Sequence, residues 1–349
     1  MTPLAGLLIR RIMATGPITL ADYMAECLLH PQHGYYATSD PYGVSGDFTT
    51  APEVSQMFGE LLGLCLAQTW LDQGAPSRFT LAELGPGRGT LMADVLRATK
   101  AVPGFHAAAE VLLVEASATL RARQRLTLGD HPAQWADHLP PGDTPLYLLA
   151  NEFFDALPIR QFTRARQGWA ETLVGVKDSH LSFGKSAPMP IAMLDHRVTD
   201  TTPGDTVEIC PAASGITQTI ATRIETHGGA ALILDYGDWI SRGDTFQALK
   251  SHRFTDPLAE PGEADLTAHV DFAALAAHAK SYAYTTQGQL LTALGIHHRA
   301  AHLARELGGN TLIQHNAATH RLTAPEEMGK LFKALTIYPS DCPKPPGFA

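Results

Sequence analysis

The chain has 349 residues, 45% of them hydrophobic and 17% charged, enough for one large or two modest domains with an ample core. Its formal net charge is −9, with no run of Lys or Arg, which argues against a nucleic-acid binder and against attraction to an anionic membrane. The four cysteines, Cys27, Cys65, Cys210 and Cys342, are scattered with no C-x-x-C, and the 16 histidines include no H-E-x-x-H, so neither a disulfide framework nor a metal site is expected.

From the N-terminus, MTPLAGLLIRRIMATGPITLADYMAECLL has helical spacing and carries Asp22 and Glu26. It lacks the long apolar core and small-residue cleavage site of a signal peptide, so a folded helix and a cytoplasmic protein are expected. No apolar run reaches the ~20 residues of a membrane span. Residues 1–75 read as a helical cap, broken by the loop HPQHGYYATSDPYGVSGDF. In GDFTTAPEVSQMFGELLG, apolar Val54, Met57, Phe58, Leu61, Leu62 and Cys65 follow helical spacing, and Thr50 and Glu53 form a capping box with Pro52 in the first turn. The opposite face carries Glu53, Gln56, Gly59 and Gly63. Such a small, polar strip packs closely against another helix or touches a ligand.

From Arg78 the pattern changes. FTLAEL, VLLVEA at 111–116, LYLLAN at 146–151 and AALILDYG at 230–237 are short apolar runs ending in polar residues, mostly separated by helical segments. That alternation predicts a parallel sheet covered on both faces, with ligands bound beyond the carboxyl ends of its strands. Glu83, Glu115, Asn151 and Asp235 are expected at those ends. RQFTRARQGWAETLVGVKDSHLSFG alternates polar and apolar residues and predicts an antiparallel element inserted at about 158–212 of a main domain spanning 76–349. Beyond about 245, extended stretches mix with helices such as VDFAALAAHAKSYA and PEEMGKLFKALT, and a proline-rich tail lies over the surface.

After the first strand comes ELGPGRGTLMADVL. Gly85, Gly87 and Gly89 permit a tight turn and close backbone approach to a ligand, and the helix starting near Thr90 points its free N–H groups to the same place. The spacing and the lack of Lys exclude a phosphate loop, and Thr90 stands where a dinucleotide fingerprint needs Gly or Ala. Glu83 beside the first glycine would repel pyrophosphate but suits a ligand bearing an ammonium group and a sulfonium, as S-adenosylmethionine does. Glu115 ends the next strand, where a carboxylate accepts hydrogen bonds from ribose hydroxyls; its 32-residue distance from Glu83 requires a longer crossover than dinucleotide folds use. The pattern resembles the first motif of class I methyltransferases.

GDFTTAPEVSQMFGELLG, ELGPGRGTLM, NEFFDALP, LILDYG and DLTAHVDF, in this order, resemble the methyltransferase family of the mitochondrial respiratory complex I assembly factor and its bacterial relatives, over residues 15–338. That family is similar in activity to protein arginine methyltransferases, its mitochondrial member acting on an arginine of a complex I subunit. The resemblance implies a Rossmann-like class I methyltransferase sheet and S-adenosyl-L-methionine as cofactor. It also implies a lid over the cofactor made by Gly46, Asp47, Phe48, Thr49 and Thr50, with Gln56 facing the pocket and the small helix face making room for loop and ligand. Trp135 and Asn151 join the cofactor site on the same basis.

Methyl transfer from a sulfonium is an in-line displacement, so the protein must align the nucleophile, exclude water and take up a proton. In NEFFDALP, Glu152 and Asp155 lie three apart, and paired carboxylates are what orienting a guanidinium requires. Asp235, with Tyr236 beside it, is the third candidate for binding a substrate cation. Phe153 and Phe154 wall the site or pack the core, and Asn151–Asp155 otherwise reads as a helix cap. Asp265, Thr267, His269 and Asp271 alternate along an extended segment, and the acidic TDPLAEPGEAD either attracts a basic peptide or is a solvated loop. The expectation is an α/β methyltransferase with an N-terminal helical cap and an inserted antiparallel β element, methylating an arginine of a partner protein, such as a respiratory-complex subunit. Methylation of a small molecule, or cofactor binding by an assembly factor without useful catalysis, are the alternatives.

Overall fold

The computed structural model describes residues 1–38 and 49–348. Among the described residues its central sheet has eight strands, seven of them β1 (Phe79–Leu84), β2 (Ala109–Val114), β3 (Ala133–Ala136), β4 (Leu146–Asn151), β5 (Gly229–Asp238), β6 (Ser281–Thr286) and β7 (Phe332–Tyr338), in spatial order β3-β2-β1-β4-β5-β7-β6, while the short strand Val270–Asp271 pairs in parallel with the end of β5. The pairs among β1 to β5 are parallel, whereas β7 runs antiparallel to β5 and β6 antiparallel to β7. Every residue of β1 and β4 is buried, as continuous apolar runs must be when helices cover both sheet faces. One face packs against helices Gln56–Asp72 and Thr90–Thr99, the other against Pro211–His227 and Phe272–Ala276. Strand order reverses between β1 and β4, which opens a crevice beyond their carboxyl ends. The long crossover from Glu83 to Glu115 holds two helices, Thr90–Thr99 and Phe105–Ala108.

The interruption between β4 and β5 is antiparallel as expected: Arg160–Ala165, Gly168–Lys177, His180–Lys185 and Thr206–Ile209 form one sheet. Ile18–Thr19 joins the same sheet, pairing with Gly168–Lys177. Helices Pro3–Thr15 and Leu20–Leu29 share a core with Val174 of that sheet and with Ile159 just before its strand Arg160–Ala165, while Gln56–Asp72 packs on the central one. The first 75 residues therefore divide between two cores. A third sheet orders Arg253–Thr255, Gln247–Lys250 and Asp265–Thr267.

Several sequence expectations are corrected. KALT is strand rather than helix, because FKALTIY fills the slot between β5 and β6. The helix in VDFAALAAHAKSYA shrinks to Phe272–Ala276, flanked by strand on both sides. Asp235 lies inside β5, which continues to Asp238, rather than at a strand end. The Thr50–Glu53 capping box is absent: Thr50 makes no side-chain cap bond, and Glu53 instead accepts from the Thr90 hydroxyl at 2.6 Å. Ser55 is extended and splits the helix into Ala51–Val54 and Gln56–Asp72, capping the second through Met57 N–H.

The small strip on Gln56–Asp72 serves helix packing, which overturns its reading as a ligand-facing surface. A Cβ on Gly59 would lie 2.6 Å from Asp94 Cβ, and one on Gly63 would lie 2.9 Å from Val95 Cα. Helix Thr90–Thr99 occupies that space, and buried Glu60 ties the pair by accepting from Arg97 at 2.5 Å and from Arg299 at 2.7 Å. Gly63→Ala is expected to destabilise the protein by about 1–3 kcal/mol of overpacking, reduced by up to ~1 kcal/mol of helix propensity, with S-adenosylhomocysteine affinity unchanged. Denaturant titration together with calorimetry checks both halves of that expectation; weakened ligand binding at intact stability would restore the ligand-facing reading.

Candidate active site

Two cavities meet above the β1/β4 crevice and share Tyr36, Gly85 and Glu152 in their walls. One, of about 430 Å³, is lined by the glycine loop, Glu83, Asn151, Asp155, Tyr236, Asp265 and His269. The other, of about 910 Å³, is lined by Glu115, Ser117, Asp137 and His138, and by Leu28, Leu29 and Tyr36 from the N-terminal region.

β1 delivers Glu83 to the crevice and the chain then turns through the loop, where Gly85, Gly87 and Gly89 have φ of 59°, 53° and 83°. Those values lie in the left-handed region that side-chain-bearing residues avoid. A Cβ on Gly85 would also strike Phe153 at 2.8 Å, so the loops after β1 and β4 touch. Gly89 caps helix Thr90–Thr99, whose first amides face the cavity. Glu83 is 2% exposed and its Oε2 has no hydrogen-bond partner; Asn151 Oδ1 is a second buried acceptor without one. Two orphaned acceptors beside a glycine loop call for a donor or a cation. Burial pushes the Glu83 carboxyl up to about 8, against the main-chain donor of Met92 and with a smaller push from Glu115.

In the second cavity Glu115 follows β2 directly. Its Oε1 accepts from Ser117 N–H at 2.8 Å and its Oε2 from Gln124 at 3.2 Å. Gln124 also donates to Gly87 O at 2.8 Å, coupling the carboxylate to the glycine loop. Carboxylate oxygens held this way keep further lone pairs for a ribose diol. Orphaned acceptors, glycine cradle and oriented Glu115 together fit the chemistry of S-adenosyl-L-methionine, whose cationic groups suit the two buried acceptors.

After β4 the chain makes a sharp turn. Glu152 has φ 49°, left-handed for a residue with a side chain, which costs about 1–2 kcal/mol. Asp235 holds the turn: its Oδ2 accepts from the N–H groups of Phe153, Phe154 and Asp155 at 3.2, 3.0 and 3.3 Å, and its Oδ1 from Tyr236 N–H at 2.9 Å. Asp235 is fully buried and lines neither cavity, so it shapes the site rather than contacting a substrate cation as expected. Glu152 accepts at Oε1 from Ala51 N–H and the Asn151 amide, both at 3.2 Å. Burial first, then the negative Asp155, pushes its carboxyl up to about 8. Burial likewise raises Asp155 to about 6, opposed by the Tyr236 hydroxyl.

The other sequence candidates divide. Glu83, Gly85, Gly87, Asn151, Glu152 and Asp155 converge on the smaller cavity, and Glu115 on the larger. Gln56 is exposed and lines neither; the break at Ser55 turns it away. Trp135 also lines neither, its indole donating to Gln124 at 2.8 Å, and Thr49 is outside both although Thr50 lines the smaller one. Gly46, Asp47 and Phe48 lie outside the described residues. Sequence reasoning missed Tyr36, Ser117, Gln124 and the Asp137–His138 pair. Gln124 carried a signal, being polar one turn after Leu120 on the apolar face of its helix.

The strand order, the glycine loop after β1 and the carboxylate after β2 define a class I S-adenosylmethionine-dependent methyltransferase. The family model described as S-adenosyl-L-methionine-dependent methyltransferase matches residues 61–290, and the chain belongs to that family. It is 36% identical to the human mitochondrial protein arginine methyltransferase NDUFAF7 over 97% of this chain and 84% of that one, and 37% identical to the Drosophila melanogaster homolog over 96% and 85%. A crystal structure of a relative from Burkholderia thailandensis, bound to S-adenosyl-homocysteine, superposes with a TM-score of 0.84 at 29% identity, covering 99% of this chain and 94% of that one. Among the described residues no helix is long and apolar enough to cross a membrane.

A cationic ligand bound beside Glu83 is expected to bind in a pH-dependent way. Below about 8 its carboxyl is protonated in the ligand-free protein, and a neighbouring cationic group favours the ionised form. Binding at pH 7 is therefore expected to release a proton, and affinity to rise with pH by at most about tenfold per unit, levelling above about 8. Calorimetry in buffers of different ionisation heats measures the release, and Glu83→Gln should abolish it. The ligand-free protein should show the matching stability trend: the unfolded Glu83 ionises near its ordinary value while the folded one keeps its proton, so stability falls as pH rises toward 8.

Proposed function

We propose that this chain methylates an arginine side chain of a partner protein. The observation that carries the reading is the acid lining of the smaller cavity: Glu53, Glu83, Glu152, Asp155 and Asp265 stand against a single guanidinium, Arg88, among its lining residues. A cavity with that balance recruits a cation, and a guanidinium is planar, permanently charged and bidentate toward carboxylates. Tyr236, packed edge-on against His269 and Phe332 at 5.5 and 5.6 Å, gives it a flat wall. The names of the animal relatives support a protein acceptor. The four free thiols support a reducing compartment such as the cytosol, although those relatives are named mitochondrial.

The bound cofactor supplies an electrophilic methyl group on sulfur. Glu152 and Asp155 pair with the guanidinium N–H groups and turn a nitrogen lone pair toward that methyl. As the N–C bond forms and the S–C bond breaks, the nitrogen sheds a proton. Asp155, raised only to about 6, is largely ionised at pH 7 and is the carboxylate able to take it. The Glu152 turn is rigid because Asp235 fixes the three following amides, so the orientation is set before the substrate arrives.

Glu152→Gln keeps the shape and removes the negative charge that Glu152 takes on when a guanidinium beside it favours the ionised form. The loss of one charge-assisted contact in a dry site should cost about 2–4 kcal/mol of transition-state stabilisation, roughly 30- to 1000-fold in rate, with cofactor affinity nearly unchanged. The paired measurement is methyl transfer from labelled cofactor into a lysate of the source organism and S-adenosylhomocysteine affinity on the same variant. Acid hydrolysis of the labelled protein should yield methylarginine; label confined to small molecules would replace the protein reading.

A further inference from the structure

Tyr36 occupies a place that the site so far described does not use. It is the residue of the N-terminal region that lines both cavities. Its main-chain carbonyl accepts from the Ser117 hydroxyl at 3.0 Å, and the Ser117 N–H in turn donates to Glu115 at 2.8 Å. At its other end the Tyr36 hydroxyl donates to Asp265 Oδ1 at 3.0 Å. Its ring packs edge-on against fully buried Tyr35 at 5.3 Å, so one end cannot shift without moving the other. Hydrogen bonds therefore run without a break from the carboxylate facing the ribose end of the cofactor cavity to strand Asp265–Thr267, a wall of the acid-lined cavity.

Asp265 is sensitive to this link. It is 5% exposed, so loss of the Tyr36 hydroxyl removes one charge-assisted hydrogen bond from a buried carboxylate. Its charge also acts on Glu152 and Tyr236, the groups beside the acceptor. Strand Asp265–Thr267 pairs on one side only, with Gln247–Lys250, so its order depends on what else grips it.

We propose that Tyr36 is a positioning residue that transmits cofactor occupancy to strand Asp265–Thr267, so that the acceptor wall is set only once the cofactor is in place. This rests on the smaller cavity being the acceptor site, but not on the acceptor being arginine. Binding at Glu115 fixes the Ser117 turn, Ser117 fixes the Tyr36 backbone, and the Tyr36 hydroxyl fixes Asp265. The functional consequence is order: donor first, acceptor second. An acceptor cation is then not held in an acid cavity that lacks its methyl source.

The test needs no acceptor, so its failure is separable from failure of the arginine reading. S-adenosylhomocysteine affinity is measured by calorimetry, and amide hydrogen exchange is followed with and without that ligand. In the unaltered protein, saturating ligand should slow exchange across 265–267 by roughly threefold or more, as well as at 115–120. Tyr36→Phe removes one oxygen and keeps the ring; it should retain affinity within about threefold and protection at 115–120, yet lose protection at 265–267. Asp265→Ala should lose it too, while Asp265→Asn, whose side-chain oxygen still accepts from the tyrosine, should restore it. Protection at 265–267 in both the unaltered protein and Tyr36→Phe overturns the proposal, as does protection in neither. Loss of ligand binding in Tyr36→Phe also overturns it, because Tyr36 would then belong to the cofactor site alone.

Discussion

Four main-chain N–H groups converge on one buried side chain, that of Asp235, and the site hangs on that convergence. The chain leaving β4 must reverse sharply to bring Glu152 and Asp155 over the crevice, and the turn it makes puts Glu152 in a left-handed conformation that a non-glycine residue adopts only under constraint. Amides at the turn would be unsatisfied in a buried place without an acceptor, and a neutral acceptor could not serve three of them as strongly as a carboxylate oxygen does. Asp235 comes from the adjacent strand β5, so the turn is locked to the sheet. Burial and the neighbouring acids raise the proton affinity of Asp235 well above the ordinary range, while its main-chain donors oppose that push.

The same economy of placement explains the electrostatics of the cavity. Glu83, Glu152 and Asp155 would each be easier to keep ionised in water, and burial raises all three. Glu60, by contrast, is also little exposed but less deeply enclosed, and it is held below its ordinary value by the flanking guanidinium groups of Arg299 and Arg97, although burial is the largest single influence on it. The difference is the partner. Glu60 has its cations built in and serves packing, whereas burial outweighs the polar contacts of Glu83, Glu152 and Asp155. Unneutralised acids cost stability in the ligand-free protein, and a cationic ligand recovers that cost on binding.

How much of this was legible in the sequence follows from the range of the signals. The glycine loop, Glu83, Glu115 and Asn151 fall where expected because strand ends and tight turns are written in a few consecutive residues. The inserted antiparallel element was legible for the same reason, its alternation having period two. What failed needed side-chain direction or distant partners. Gln56 faces away because Ser55 breaks the helix and resets its phase, and nothing local distinguishes that serine from a tolerated helix residue. The Gly59–Gly63 strip read equally well as a ligand surface until helix Thr90–Thr99 was placed against it. Asp235 resembled a strand-end ligand, yet its role depends on three amides that lie 80 to 82 positions before it in the chain and meet it only in the folded structure. β7 was hidden as well, since a strand closing the sheet from the end of the chain is recruited by long-range pairing.

The N-terminal region takes on a different meaning once its core is located. Helices Pro3–Thr15 and Leu20–Leu29 are not a detachable cap, because their apolar faces are buried with Val174 of the inserted sheet and with Ile159 just before its strand Arg160–Ala165, and Ile18–Thr19 supplies that sheet with a strand. The central sheet alone provides the glycine loop and Glu115, but the far wall of the larger cavity is Leu28, Leu29, Pro31 and Tyr36. Insertion and N-terminal region thus form one packed body that borders the larger cavity on one side and, through Tyr36 and Asp265, the smaller cavity on the other. A Rossmann-like sheet binds a nucleotide at its strand ends without such a roof. For a cofactor bound at the strand ends, such a roof would add exclusion of water around a reactive sulfonium and a frame for the acid-lined cavity, two things that the cofactor's own chemistry cannot provide.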